Sequence, residues 1–309
     1  MLRYIGKRLA VMLTTLWVIS TLTFILMNCI PGDPFTSEKK LPEQTLKNLK
    51  AAYGLDKPLP MQYVVYIKNL AQGDLGFSIK NTNRTVNDML KEGFPVSAQL
   101  GSQALILAIF AGIVMGTAAA LKQNRLPDYT LMVLAVIGLS VPSFVIAPLF
   151  QKYFGLKWEL LPIAGWGEFD KTILPAIALA FTPLALVTRL MRSSMLEVIG
   201  QDYIRTARAK GLPPWRVISS HTLRNSIIPV VTLIGPLAAA ILTGSFVIEK
   251  IFSIPGIGKY FVESITNRDY PVIMGTTIFF AAFLITMNFL VDLAYGLIDP
   301  RIKVGKREA

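Results

Sequence analysis

Residues that could carry chemistry are few in this chain of 309 residues. It has a single histidine, His221, and a single cysteine, Cys29. With one histidine, His-based metal clusters and hydrolytic triads lack their parts, and one cysteine allows no intrachain disulfide. Residues 256–260 (GIGKY) come nearest to a phosphate-binding loop, but they lack its first glycine and its final Ser or Thr. The sequence therefore predicts a chain that is not an enzyme and binds no metal or cofactor itself.

The composition indicates what surrounds these residues. The chain is 53% hydrophobic and its mean hydropathy is +0.52. Each of its six apolar runs is close to the ~20 residues that a helix needs to cross ~30 Å of hydrocarbon. We therefore predict an all-α integral membrane protein with about six transmembrane helices. The runs are residues 9–27, 100–121, 129–150, 173–190, 227–248 and 272–298.

The charges between these runs predict how the chain is oriented. Cations are in excess in the N-terminus, after the second run, between the fourth and fifth runs, and in the C-terminal tail. The short segments after the third and fifth runs balance cations with acids. By the positive-inside rule, both termini are cytoplasmic. The net charge of +12 follows from this asymmetry and requires no nucleic-acid partner.

One polar stretch, residues 202–225 (DYIRTARAKGLPPWRVISSHTLRN), is held at both ends by apolar runs. We call it the bracket. It predicts a short helix over 202–210, which Gly211 stops, and a second helix from about Pro214. It is a candidate docking element at the membrane surface, or else an ordinary cytoplasmic loop whose cations only satisfy the positive-inside rule. Two predicted helical faces are Tyr203, Ile204, Ala207 and Gly211 in the first helix, and Trp215, Ile218 and Thr222 in the second.

The spacing of Ala207, Gly211 and residues 221–225 (HTLRN) resembles the EAA loop of bacterial ABC importer permeases, in the variant found in the oligopeptide and dipeptide permease family. Arg205 stands where the general motif has glutamate. The peptide family is similar to this chain at that position. The docking contacts must therefore differ in charge from those of a permease with the glutamate. The segments PGDPF (31–35), YGLDKPLPMQY (53–63) and GDLGFS (73–78) extend the resemblance over nearly the whole chain.

The resemblance implies a type I ABC importer permease fold in a bacterial inner membrane. Residues 1–30 would form the cytoplasmic N-terminus and first span, 31–99 a long external segment, and 100–309 the permease core with a coupling loop at about 193–225. The chain would form half of a translocation path for peptides. The implied coupling-loop residues are Tyr203, Ile204, Arg205, Thr206, Ala207, Lys210, Gly211 and Leu212.

The same resemblance implies the partners. These are a second, homologous permease, two cytoplasmic ATPase subunits that carry ATP and Mg, and an external substrate-binding protein, in addition to the peptide and the membrane lipid. His221 is most simply a packing residue of the bracket. No nucleic acid is expected.

A further segment, 249–271, resembles the outer loop of peptide-type permeases, which faces the entrance of the path. The alternative is a plain turn at Pro255 and Gly256, with Arg268 paired to an acid. The residues concerned are Glu249, Phe252, Pro255, Gly256, Gly258, Arg268 and Asp269.

Within the membrane, the second run carries small residues at helical spacing, which predicts close helix packing. These are Ala108, Gly112, Gly116 and Ala119. Prolines in the next three runs indicate either packed kinks or a water-lined path. Asp292, in the last run, faces either the bundle interior or the solvated inner interface.

Alternative functions stay open on the sequence alone. The same architecture could import nickel or another small solute, and the sequence does not give the length of a peptide cargo. An ion-coupled secondary carrier would need intramembrane ion ligands, for which Asp292 is the central acidic candidate. A membrane scaffold would leave the prolines and small-residue face as packing features only.

Overall fold

The computed structural model describes residues 2–29, 44, 51, 54–81 and 83–298. Within these residues the chain is helical, with one isolated β-bridge between Phe77 and Thr85. The α-helices are α1 Leu2–Cys29, α2 Leu59–Ala71, α3 Val86–Leu121, α4 Leu126–Ser140, α5 Ser143–Phe150, α6 Phe169–Ile199, α7 Asp202–Ala209, α8 Pro214–Arg216, α9 Arg224–Ser226, α10 Ile228–Leu242, α11 Phe246–Ile251, α12 Ile257–Asn267 and α13 Tyr270–Ile298. Two π-helical segments, Gln151–Lys157 and Val217–Leu223, follow α5 and α8.

The prediction of an all-α membrane protein is confirmed. Four described helices, α1, α3, α6 and α13, are long and apolar enough to span a membrane. Two bent helix pairs bring the number to six if each counts as one span. Those pairs, 126–157 and 214–242, overlap the third and fifth predicted spans, and their bends are 106° and 48°. The second pair begins within the bracket and ends at Leu242, before the predicted end at residue 248.

The 106° bend falls at Pro142. Val141 N–H donates to the carbonyl of Ile137 at 2.9 Å, which completes the last turn of α4. Pro142 has no N–H to continue that ladder, and the preceding residue adopts an extended conformation. The predicted span 129–150 is therefore two helices, whereas Pro148 lies inside α5 without ending it.

The described residues divide into two compact units. The first unit comprises residues up to 95 together with 256–285. Its core contains Val86, Met89, Leu90, Ile257 and Val272. Because Val86, Met89 and Leu90 extend the helical pattern toward the N-terminus, α3 begins at Val86, well before the predicted span 100–121.

Within the predicted external segment, the residue pattern favours helices over 42–53 and 61–70. The predicted helix over 61–70 is confirmed as α2. Apart from residues 44 and 51, the predicted helix over 42–53 lies outside the described residues, as do the PGDPF segment and the side chain of Asp292 near the end of α13.

The second unit comprises residues 96–255 and, of the described residues after them, 286–298. Its central element is α6, which packs against α4, α5, α10 and α11. Leu174, Val187, Met191 and Met195 of α6 are almost fully buried. By contrast, Ile106, Phe110, Val133 and Leu134 on α3 and α4 are more than half exposed, as expected of surfaces that face lipid.

Candidate functional site

The first half of the bracket folds as predicted. Asp202 opens α7 and Arg208 lies in its last turn, an arrangement that favours the helix dipole. Gly211 then takes φ +74°, and its N–H donates to the carbonyl of Arg208 at 3.0 Å. A left-handed glycine at this place ends the helix and reverses the chain.

One side of α7 faces the chain's own interior. Ile204 and Ala207 are buried and pack with Val217, with Val198 and Leu212 around them. Tyr203 and Gly211, predicted on the same side, are exposed. The exposed residues of this part of the bracket are Asp202, Tyr203, Arg205, Thr206, Arg208, Ala209, Lys210 and Gly211.

The second half of the bracket differs from the prediction because it is wound as a π-helix. The Thr222 hydroxyl donates to the carbonyl of Val217, five residues back, at 3.1 Å. This winding rotates the side chains away from the spacing of an α-helix. The prediction that Trp215, Ile218 and Thr222 share a face is therefore wrong, since Trp215 is 63% exposed and Thr222 is buried.

Hydrogen bonds close the bracket on itself. Asn225 Nδ2 donates to Tyr203 Oη at 2.9 Å and to the carbonyl of His221 at 3.1 Å. These bonds join the first helix of the bracket to its last turn. The Ser226 hydroxyl, directly after the bracket, donates to the carbonyl of Thr222 at 2.9 Å and also lies 3.4 Å from the carbonyl of Ser194 on α6. The bracket is thus a folded element attached to α6, and not a loose loop.

The outward surface of the bracket is basic. Arg205 and Asp202 form an ion pair at 3.4 Å, but their side chains are 74% and 94% exposed, so the pair adds little stability. The guanidinium of Arg216 lies 5.2 Å from the ring centre of Trp215. The surface exposes several cations and one acid, Asp202, and therefore suits an acidic partner. The cations include Arg205, Arg208, Lys210 and Arg216.

The segment proposed for the entrance has its first part in the second unit. Glu249 is buried, and the Ser97 hydroxyl donates to its Oε1 at 2.6 Å. Phe252 is fully buried in a core with Leu100 and Leu174. Pro255 is exposed. Glu249 and Phe252 therefore lie inside the packed unit.

The rest of that segment belongs to the first unit. The buried Asp269 carboxylate accepts hydrogen bonds from the Ser78 hydroxyl and from the N–H groups of Ile79, at 3.0 Å, and Lys80, at 3.3 Å. Asp269 thereby holds the turn at 78–80. Arg268 is exposed and ends α12 in the left-handed conformation, with φ +57°. Gly256 and Gly258 are buried on either side of Ile257.

A cation next to this turn is also held in place. The guanidinium of Arg84 donates to the Glu92 carboxylate and lies 5.7 Å from the ring centre of Tyr260. Hydrogen bonding to Glu92, followed by that to Tyr260, raises the pKa of Arg84 above its ordinary value. Arg84 therefore stays charged and links the turn to α3 and α12.

The small residues of α3 lie directly against α6. A Cβ on Gly112 would lie 2.7 Å from Cγ1 of Val187. On Gly116 it would lie 2.6 Å from both Cβ of Met191 and the carbonyl oxygen of Thr188. Such distances leave no room for a side chain, so the two helix backbones depend on glycine for this approach.

One pair of residues in the second unit was missed by the sequence analysis. Arg192 Nε and Nη2 donate to the two carboxylate oxygens of Asp128 at 2.6 and 2.7 Å. The Asp128 side chain is 2% exposed and that of Arg192 is 25% exposed. The available signal was an acid in the first turn of a span, directly after Pro127, but nothing in the sequence names its partner 64 residues away.

Comparison with known proteins fits this architecture. Residues 108–304 match the family described as the inner membrane component of binding-protein-dependent transport systems. Residues 1–101 match the N-terminal part of such membrane components. The chain belongs to this family. The resemblance to oligopeptide and dipeptide permeases is likewise confirmed.

Individual relatives cover the whole chain. This chain is 55% identical to the dipeptide transport system permease protein DppB of Bacillus subtilis, over 99% of this chain and 100% of that protein. It is 44% identical to the oligopeptide transport system permease protein OppB of Salmonella typhimurium, over 98% and 100%. A chain in the crystal structure of an amino acid ABC transporter with histidines has the same fold, with a TM-score of 0.51 and 14% identity over 70% of this chain and 95% of that one.

Proposed function

We propose that this permease is the membrane subunit of an ATP-driven importer of peptides, and that it forms half of the translocation path. The observation that carries the proposal is the full-length identity of 55% to a dipeptide permease and 44% to an oligopeptide permease. Full coverage of both chains means that the spans, the bracket and the 249–271 segment all have counterparts in those relatives.

The proposed assembly contains a second, homologous permease, two cytoplasmic ATPases and an external substrate-binding protein. The family description, which names a binding-protein-dependent transport system, supports the last of these. ATP and Mg would be held by the ATPases, because this sequence lacks a complete phosphate-binding loop.

In this proposal the bracket docks onto an ATPase. Its buried side, with Ile204, Ala207 and Leu212, holds the element in shape. The exposed side would make the contact, with Tyr203, Arg205, Thr206 and Lys210. Closure of the ATPases on ATP would displace the bracket and switch the path between its inward-facing and outward-facing states.

The segment 249–271 would lie at the outer entrance of the path. Pro255 and Arg268 are exposed there and could meet the cargo or the binding protein. Glu249, Phe252 and Asp269 are buried, so we assign them to holding the segment in place, together with Gly256 and Gly258.

The orientation can be tested by labelling. In a Cys29→Ser background, a cysteine introduced at Glu168 should react with an impermeant maleimide from outside. A cysteine at Arg216 should react only after the membrane is opened. Reaction of position 216 in intact cells would contradict both the topology and the docking role.

The cargo can be tested with the purified complex in liposomes. We expect an ATPase to co-purify and its ATP hydrolysis to rise when the binding protein is loaded with dipeptides or longer peptides. The control is the same complex without binding protein. Stimulation by nickel alone would replace the peptide assignment, and uptake without an ATPase would replace the importer class.

A further inference from the structure

The end of α6 and the bracket form one packed body. Val198 of α6 packs with Ile204, Ala207 and Val217 of the bracket. The Ser226 hydroxyl donates to the carbonyl of Thr222 at 2.9 Å and also lies 3.4 Å from the carbonyl of Ser194, one turn earlier on α6. A force on the bracket therefore reaches α6 between residues 194 and 198.

Arg192 lies immediately before this attachment. Its guanidinium holds the Asp128 carboxylate by two parallel hydrogen bonds of 2.6 and 2.7 Å. Asp128 Oδ2 also accepts the backbone N–H of Asn124 at 3.0 Å. A bidentate pair of this kind fixes orientation as well as distance, which packing between smooth apolar surfaces does not.

Asp128 stands in the first turn of α4, and α4 meets α6 again at its other end. A Cβ on Gly138 would lie 2.7 Å from Cβ of Ala185, so the two helices are in close contact there too. Shortly beyond, α4 ends at the 106° bend. α4 is therefore attached to α6 at two separated points.

We propose that Asp128 and Arg192 are positioning residues that transmit displacement of the bracket, through α6, to α4. This inference rests on the proposed function, because it assigns the route by which ATPase closure reaches the membrane part of this subunit. The pair acts through the helices and touches neither ATP nor cargo.

The test uses the complete complex in liposomes and measures cargo transported per ATP hydrolysed, with the amount of assembled complex as a separate reading. The variants are Asp128→Asn, Arg192→Gln and the exchange Asp128→Arg with Arg192→Asp. Glu168→Gln is the matched control, because it removes the exposed 3.2 Å ion pair with Lys171 near the other end of α6.

Each single variant should still hydrolyse ATP but lose about tenfold in transport per ATP, and the exchange should recover a large part of that loss. The control should match the unchanged protein. Assembled single variants with normal transport per ATP would overturn the proposal, even if their amount is reduced, because the pair would then serve stability alone.

If the single variants do not assemble, Asp128→Glu keeps the charge and lengthens the side chain by one methylene. We expect it to assemble and to lower transport per ATP, and an unchanged ratio would overturn the proposal. If the unchanged complex fails to couple any cargo to ATP, the proposed function fails. If it couples and all variants couple equally, only the present inference fails.

Discussion

Glycines in the second unit are present for two opposite reasons. Gly112 and Gly116 on α3 have ordinary helical backbones but no space, since a Cβ would lie within 2.7 Å of α6. Gly211 in the bracket has open space around it but a backbone at φ +74°. Gly112 and Gly116 are required because α6 lies against them, and Gly211 is required because of its own backbone conformation.

This difference separates stability from coupling. A side chain at Gly116 would push apart two long helices and act on the whole unit. A side chain at Gly211 would strain one turn and change the direction of the chain between the two halves of the bracket. The following predictions test that separation, beginning with the largest effect.

We expect the largest effect from Gly116→Leu. The carbonyl of Thr188 at 2.6 Å is backbone and cannot move aside as a flexible side chain can. The substitution should cost about 3 kcal/mol of folding free energy and sharply reduce the assembled protein in membranes. Gly112→Leu should cost less, because its nearest neighbour is the side chain of Val187.

The matched control is Ala118→Leu, on an exposed position of the same helix. It should leave the amount of protein unchanged, as measured by detergent-resistant fluorescence from a C-terminal reporter. Equal losses in Ala118→Leu and Gly116→Leu would show that the sensitivity belongs to α3 in general and not to its contact with α6.

Gly211→Val should have an intermediate effect of a different kind. A β-branched residue at positive φ costs about 1 kcal/mol or more, which a protein of this size tolerates. We expect normal amounts in the membrane, but loss of the ATPase or ATP hydrolysis without transport. Gly211→Asn should be milder, because asparagine adopts the left-handed conformation more readily.

Gly167 provides the control for backbone strain. Its φ is +106° and the space around it is open, but it lies outside the bracket. Gly167→Val should therefore reproduce the strain without affecting coupling. Normal transport per complex in Gly211→Val would show that Gly211 ends the helix and has no role in coupling.

The smallest effect is expected from Asp202→Asn. The ion pair with Arg205 is 3.4 Å long and exposed, so its loss should change the free energy of unfolding by less than about 0.5 kcal/mol. The thermal midpoint of the purified complex is the measurement. A larger loss would show that the outward surface of the bracket also stabilises the fold.

The course of α7 could be predicted from sequence because its signals are local. An acid at its start, cations at its end and Gly211 after it all act within one or two turns. The same reasoning failed for the second half of the bracket, because π-winding between Val217 and Leu223 changes which residues share a face.

The sequence likewise predicted one part of the candidate site and missed another. The sequence predicted that Tyr203, Ile204 and Ala207 share one side of a helix, but not that two of them are buried and one is exposed. Burial depends on Val198 and Val217, which lie before and after α7 in the chain. Periodicity places residues on a face and does not say what covers that face.

By itself, the sequence determined that the chain is a helical membrane protein, approximately where its spans lie, the position of the bracket and the family. These depend on apolar runs, local charge and motif spacing, which act over one helix at a time. Only the tertiary structure decided that Arg192 reaches Asp128 and that Gly116 meets Thr188. Those contacts join residues far apart in the chain, and their geometry is set by how whole helices pack, which no local pattern contains.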